Sequence, residues 1–148
     1  MRTLKKSDLQ NDPNLLWNEF IDILAMEEYE ENDKLIRDAS LVFWYESELQ
    51  NGGHLQYFEN RGIENANDTA QALMNIGANE QKKVFEKALA IWESKIRKPI
   101  EDVEEYVLEA LEGEFEELNS EYFECSQDMN SYLEEYLEKN KHVFFNFE

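Results

Sequence analysis

The side chains able to carry covalent or metal chemistry are few. The two histidines, His54 and His142, stand 88 positions apart. Neither sits in an HExxH pair, a Glu-x-x-His pair or an EF-hand loop, so no metal-ligand spacing is legible. The one cysteine, Cys125, rules out an internal disulfide framework and a cysteine-based zinc site. Glu121 and Glu124 beside it are expected to raise its pKa rather than activate the thiol. Carboxylates are so abundant that no single pair stands out as general acid and base. The residue types therefore predict no enzyme, no metal and no cofactor.

What the carboxylates can do is electrostatic. The chain has 34 acids against 14 Lys and Arg, a formal charge of −20. Residues 1–99 hold 18 acids and 12 bases, whereas residues 100–148 hold 16 acids and 2 bases, and no Lys or Arg lies between Pro99 and Glu138. Eleven acids fall within residues 101–124, among them Glu114 and Glu124. As continuous helix, that stretch would span about 36 Å at roughly 1.5 Å per residue. The spacing is then one charge per about 3.3 Å, near the roughly 3.4 Å per strand of duplex DNA.

Two readings of the run compete: a solvated face, or a surface for a cationic partner. Ordinary solvated helices interleave Lys four residues after Glu. Here like charges at Glu101/Glu104/Glu105, Glu112/Glu116 and Glu117/Glu121 are expected to cost stability, which favours a partner. The contact pool is Glu101, Asp102, Glu104, Glu105, Glu109, Glu112, Glu116, Glu117 and Glu121. A polyanion of this kind repels nucleic acid and anionic lipid, so direct nucleic-acid or membrane-surface binding is excluded.

Asn51-Gly52-Gly53-His54-Leu55-Gln56-Tyr57-Phe58-Glu59-Asn60 is the second unusual stretch. Its glycines permit positive φ and close backbone approach, but without a basic residue or a GK[ST] sequence it is no phosphate loop. It reads as a helix junction, with Asn51 capping the next helical element and Gln56, Tyr57 and Asn60 hydrogen-bonding backbone at the corner.

Helices must position these residues. Five Gly and two Pro leave little punctuation, and the abundant Glu and Leu lose little rotamer freedom in a helix. No alternating strand is evident. Asp12-Pro13 reads as a helix start, followed by an inward face of Leu16, Phe20, Ile23 and Leu24. Asn32-Asp33 opens a second, central helix through Ala39, Val42, Tyr45 and Leu49, interrupted at Asn51-Gly52-Gly53 and resumed from His54 to near Gly62. A helix from about Asp68 ends at Gly77, which suits a left-handed C′ position. The next runs through Val84, Phe85, Ala88, Leu89, Trp92 and Ile96 to a break at Lys98-Pro99. Ile100, Val103, Val107 and Leu111 give another inward face, stopping near Gly113. Phe115, Leu118 and Tyr122 come next, then Met129, Leu133, Tyr136 and Leu137. Trp17, Trp44 and Trp92 read as core. The expectation is an all-α, compact multi-helix bundle of about six to eight helices, one acidic domain over residues 1–148.

The basic N-terminus has no apolar segment after it, so it is no secretory signal, and the longest apolar run, Leu41 to Tyr45, is far short of a membrane span. A reducing cytoplasm is expected. The closing Phe144, Phe145 and Phe147 exceed what a small core readily hides and suggest a homodimer, which the like charges oppose.

Several of these segments together resemble a bacterial helical family, catalogued as a domain of unknown function and named after a DNA-mimic protein. They are Asn51-Gly52-Gly53-x-x-Gln56-Tyr57-Phe58-x-Asn60, Ala70-x-Ala72-Leu73-x-x-Ile76-Gly77-Ala78 and Val84-Phe85-x-x-Ala88-Leu89. Phe115-Glu116-x-Leu118-x-x-x-Tyr122-Phe123 and Tyr136-Leu137-x-x-Asn140 also fit, and the likeness covers about residues 35–145. His54 departs from it, standing where an aromatic, usually Phe, is expected. The resemblance implies an all-α domain that presents carboxylates in place of DNA phosphates to a helix-turn-helix regulator. The shared motif itself reads as structural.

The leading functional expectation is a non-enzymatic DNA-mimic-like protein whose carboxylates meet the Lys and Arg of a DNA-binding protein such as a transcription regulator. An antitoxin or immunity-type protein blocking a basic toxin has the same electrostatics. A carboxylate-metal enzyme, and an acidic domain without mimicry from a salt-loving host, stand as further alternatives.

Overall fold

With so few helix breakers in the chain, the glycines and prolines that do occur mark most of the junctions between helices, at Pro13, Gly62, Gly77, Pro99 and Gly113. The computed structural model describes residues 1–30 and 33–148. Among these, eight helices lie between two short strands: β1 (Arg2–Leu4), α1 (Lys6–Asn11), α2 (Leu15–Ala25), α3 (Lys34–Arg61), α4 (Ala66–Ile76), α5 (Asn79–Glu93), α6 (Val103–Leu111), α7 (Glu116–Phe123), α8 (Met129–Phe144) and β2 (Phe145–Phe147). The all-α bundle expected from composition is what forms.

The central helix is α3. Its two halves meet at Gly53, whose φ of 74° and ψ of −166° leave the helical region. α3 packs on α2, α4, α7 and α8, and α5 closes over α4 and α7. Tyr45 of α3 is fully buried, with Phe85, Tyr57 and Tyr122 edge-on to its ring at 5.1, 5.2 and 5.3 Å. Such tilted contacts suit the ring quadrupoles and add to the area term. Phe20, Ile23, Leu24, Leu73, Val84, Phe85, Leu118, Tyr122, Met129, Leu133, Tyr136 and Leu137 are all buried at the positions their helical spacing assigns them. Gly77 caps α4 in the left-handed region, at φ 96° and ψ 4°.

Several expectations need correction. Asp12 ends α1, a helix the sequence did not suggest; α2 begins only at Leu15, and the Asp12 carboxylate accepts instead from the Asn14 N–H at 3.0 Å across Pro13. Of the expected Asn32-Asp33 start, Asn32 lies outside the described residues, while Asp33 is the N-cap of α3 without a side-chain cap bond. Ile96 lies beyond α5 and is fully exposed. The three tryptophans are half-buried; Arg61 covers Trp44 at 4.6 Å and Arg97 covers Trp92 at 4.2 Å.

The strand pair is a further departure. β1 and β2 run parallel, with Arg2, Thr3 and Leu4 opposite Phe145, Asn146 and Phe147. Three residues are too short for a readable alternation, and the pairing spans nearly the whole chain. Arg2 fixes it sideways through ion pairs to Glu19, Asp22 and Glu28 at 2.7–2.8 Å. Phe144 and Phe145 are thereby buried and Phe147 half-buried. The apolar surplus that suggested a homodimer is absorbed within the chain.

Candidate functional site

Two features of the sequence come together where α7 packs on α3, with α6 across a hollow from them: the glycine corner and the base-free acidic segment. At the corner, Gly53 adopts a conformation open essentially to glycine alone, and a Cβ there would strike the Asn119 side chain of α7. Asn119 uses that space. Its Oδ1 accepts from the His54 backbone N–H at 2.9 Å and from the His54 ring Nδ1 at 2.7 Å. With Nδ1 donating, Nε2 accepts from the Tyr45 hydroxyl at 2.7 Å. Burial holds the His54 pKa down at about 4, against a smaller opposing effect of the Asn119 bond. The imidazole is a neutral core group.

The cap that Asn51 was expected to give thus comes from Asn119, 65 residues after the His54 it bonds; Asn51 itself is exposed. Gln56 and Asn60 likewise differ from expectation. Both side-chain amides donate to one oxygen of Glu48, at 2.9 Å each, rather than to backbone. Tyr57 and Phe58 are buried, the latter stacked on Trp92 at 5.1 Å. Gly52 lies one residue before the kink. Glu46, also buried, accepts from the Gln50 amide at 2.8 Å and from the Tyr122 hydroxyl. Burial first, and then Glu46, push the Tyr122 pKa well up.

The acidic segment does not form one helix. Asp102 caps α6 by accepting from the Glu105 N–H at 2.8 Å, while the Glu105 carboxylate accepts from the Glu101 N–H at 2.9 Å. This reciprocal arrangement is close to a capping box. Gly113, at φ 68°, then turns the chain into α7. Glu104 and Glu105 occupy the first turn of α6, and Glu116 and Glu117 that of α7, where the helix dipole favours negative charge. The expected repulsion is correspondingly reduced. Glu112 is the C-cap of α6 whereas Glu116 begins α7, Glu101 precedes α6, and Glu117/Glu121 alone of the three sets stays within one helix.

Cations from outside the segment also enter. Arg97, in the loop before α6, donates to both Glu114 oxygens at 3.1 and 2.7 Å and to the carbonyls of Trp92 and Ile91. It also lies 3.5 Å from Glu109. Burial raises the Glu114 pKa, but the Arg97 hydrogen bond and the charges of Arg97 and Lys95 outweigh it, leaving the net shift downward. Lys87 of α5 pairs with Glu121 at 2.7 Å. Of the predicted pool, Glu101, Asp102, Glu104, Glu105, Glu112, Glu116 and Glu117 are exposed, whereas Glu109 and Glu121 are half-buried and paired.

The predicted inward face of α6 points outward. Val103, Val107, Leu108 and Leu111 are 79, 47, 63 and 77% exposed. Only Tyr106 and Glu109 on this helix are half-buried, and none of its residues is buried. A hollow of about 330 Å³, lined by Gly52, Leu55, Glu109, Leu111, Phe115 and Asn119 among others, separates the end of α6 from the glycine corner. Sequence reasoning missed Arg97 and Asn119 because their partners are remote. For Arg97 the one available signal was its place as the chain's last arginine, one residue before Lys98 and the base-free stretch that follows.

Among the described residues no group of three or more His, Cys, Asp and Glu side chains could hold a metal ion, and no helix is long and apolar enough to cross a membrane. Burial, then Glu80 and Glu121, push the Cys125 thiol up, the expected direction with Glu80 in place of Glu124. A family described as DMP19-like protein matches the chain over residues 30–140, close to the stretch singled out by its motifs. No curated protein and no solved structure matches.

Proposed function

The chain belongs to the DMP19-like family of DNA-mimic proteins, and from that membership we propose that it is a non-enzymatic, cytoplasmic mimic that occupies the basic face of a DNA-binding protein such as a helix-turn-helix transcription regulator. The observation that carries this reading is the run of exposed carboxylates over α6 and α7, in a stretch with no Lys or Arg of its own. Glu101, Glu104, Glu112, Glu116 and Glu117 are its core. Asp102 and Glu105 add charge while capping α6, and Glu109 and Glu121 are partly neutralised by Arg97 and Lys87.

The mechanism is competition. An anionic surface of this density draws a cationic protein by long-range attraction and speeds encounter, as the DNA backbone does. Because exposed charges are screened over about 8 Å at physiological ionic strength, the complex weakens steeply with salt.

The test is affinity capture from host lysate at low and high salt, with each retained protein then assayed for DNA binding in the presence of this chain. The expected result is a salt-sensitive DNA-binding protein released from its DNA. Glu112→Gln/Glu116→Gln/Glu117→Gln should weaken the release. Retention only of proteins that do not bind DNA, a basic toxin included, overturns mimicry.

A further inference from the structure

The outer surface of α6 carries more than charge. Val103, Val107 and Leu111 recur at four-residue steps along one row, and Leu108 lies in the adjacent row with Glu104. Four large aliphatic side chains in nine residues are therefore presented together to solvent. Isolated apolar side chains on a surface need no explanation, but a contiguous patch rimmed by polar residues marks an interaction site. Here the rim is anionic: Glu104 and Glu105 at one end of the helix, Glu112 at the other, all exposed.

That rim selects the occupant. A second copy would set one acidic margin against another on chains of −20 each, and an anionic lipid surface would be repelled in the same way. A helix with one apolar face and Lys or Arg beside it satisfies the stripe and the neighbouring carboxylates together, as when two amphipathic helices pack face to face. We propose that the outer face of α6 docks a cationic amphipathic helix of a protein partner, with Val107, Leu108 and Leu111 taking its apolar face and Glu104, Glu105 and Glu112 its Lys and Arg side chains. The proposal rests on the anionic surface of α6 and α7 for the sign of the partner's charge, and adds an apolar anchor that a duplex DNA backbone does not offer.

The probe is a labelled synthetic Leu/Lys peptide of about five helical turns (about 18 residues), with Leu at i, i+3, i+4 and i+7. Its control is a scrambled isomer of identical charge. Fluorescence anisotropy should show the amphipathic peptide binding about tenfold more tightly than the isomer, a difference that persists at high salt. Leu108→Gln/Leu111→Gln, at exposed sites and with a good helix former, should remove that tenfold preference. Glu104→Gln/Glu112→Gln should weaken both peptides alike. Amide shifts of the unmodified protein on titration should centre on α6.

Equal binding of both peptides overturns the apolar anchor and leaves the anionic surface standing; binding of neither overturns both. Shifts centred away from α6, or a concentration-dependent dimer abolished by the Leu108→Gln/Leu111→Gln pair, also overturn the proposal.

Discussion

Asn119 Oδ1 accepts from both the backbone N–H and the ring Nδ1–H of His54, joining residues 65 positions apart at 2.9 and 2.7 Å. A side chain of α7 thereby caps the second half of α3 and sets the tautomer of a buried imidazole. Formation of the acidic helices and completion of the central helix are coupled through this one oxygen.

The imidazole makes stability depend on pH. His54 titrates near 4 in the folded protein and near 6.5 when unfolded, so between those values the unfolded chain holds the extra proton. Stability is therefore lost as pH falls from 6.5 towards 4, by about 3 kcal/mol in all. Urea unfolding at pH 7 and pH 4.5 should show a smaller difference for His54→Phe than for the unmodified chain. The variant should also be less stable at pH 7, because the Tyr45 hydroxyl loses its acceptor.

Two glycines share a backbone conformation but not a neighbourhood. Gly53 and Gly62 have φ of 74° and 67° with ψ near −165°, yet a Cβ at Gly62 meets nothing within 4 Å, whereas one at Gly53 strikes Asn119. Gly62→Ala should cost about 1–3 kcal/mol from backbone strain. Gly53→Ala should cost about 2 kcal/mol more, since the displaced Asn119 abandons two donors. Denaturant midpoints of the two variants give the difference directly.

Arg97 ties α6 and α7 to α5. Its side chain is only 11% exposed, and its guanidinium serves Glu114, Glu109 and two carbonyls. Arg97→Ala leaves Glu109 without its cation, Glu114 with Lys95 alone at 3.4 Å and the Trp92 carbonyl without its guanidinium donor, and should destabilise by about 2 kcal/mol. Hydrogen exchange should show the loss of protection concentrated in residues 103–111, where little else holds the helix down.

Neutralising acids should act with opposite sign at the two ends of a helix. Glu112 stands at the C-terminus of α6 and Glu116 in the first turn of α7. Glu112→Gln should stabilise and Glu116→Gln destabilise, each by about 0.3–1 kcal/mol at low salt. Thermal unfolding at low and high salt checks both, with the effects shrinking as salt rises.

Where burial follows from periodicity alone, the sequence is legible: Phe115, Leu118 and Tyr122, and Met129, Leu133, Tyr136 and Leu137, lie inside as spaced. α6 has an equally clear apolar row, yet the row faces solvent. Spacing fixes that a helix has two faces; which one turns inward depends on a neighbouring element being there to receive it. The contacts that hold the acidic segment, Arg97 with Glu114 and Asn119 with His54, are long-range pairings, to which helical periodicity is blind. The strand pair escaped for both reasons, being too short to alternate and too remote to pair by inspection.

That strand pair also sets an order of events during synthesis. Leu4 and Phe20 are buried in the same core as Phe144 and Phe145, so their apolar surface stays uncovered until the far side of that core has been made. Closure of the bundle is deferred until translation has passed Phe147, and in the interval the chain's negative charge opposes aggregation through mutual repulsion.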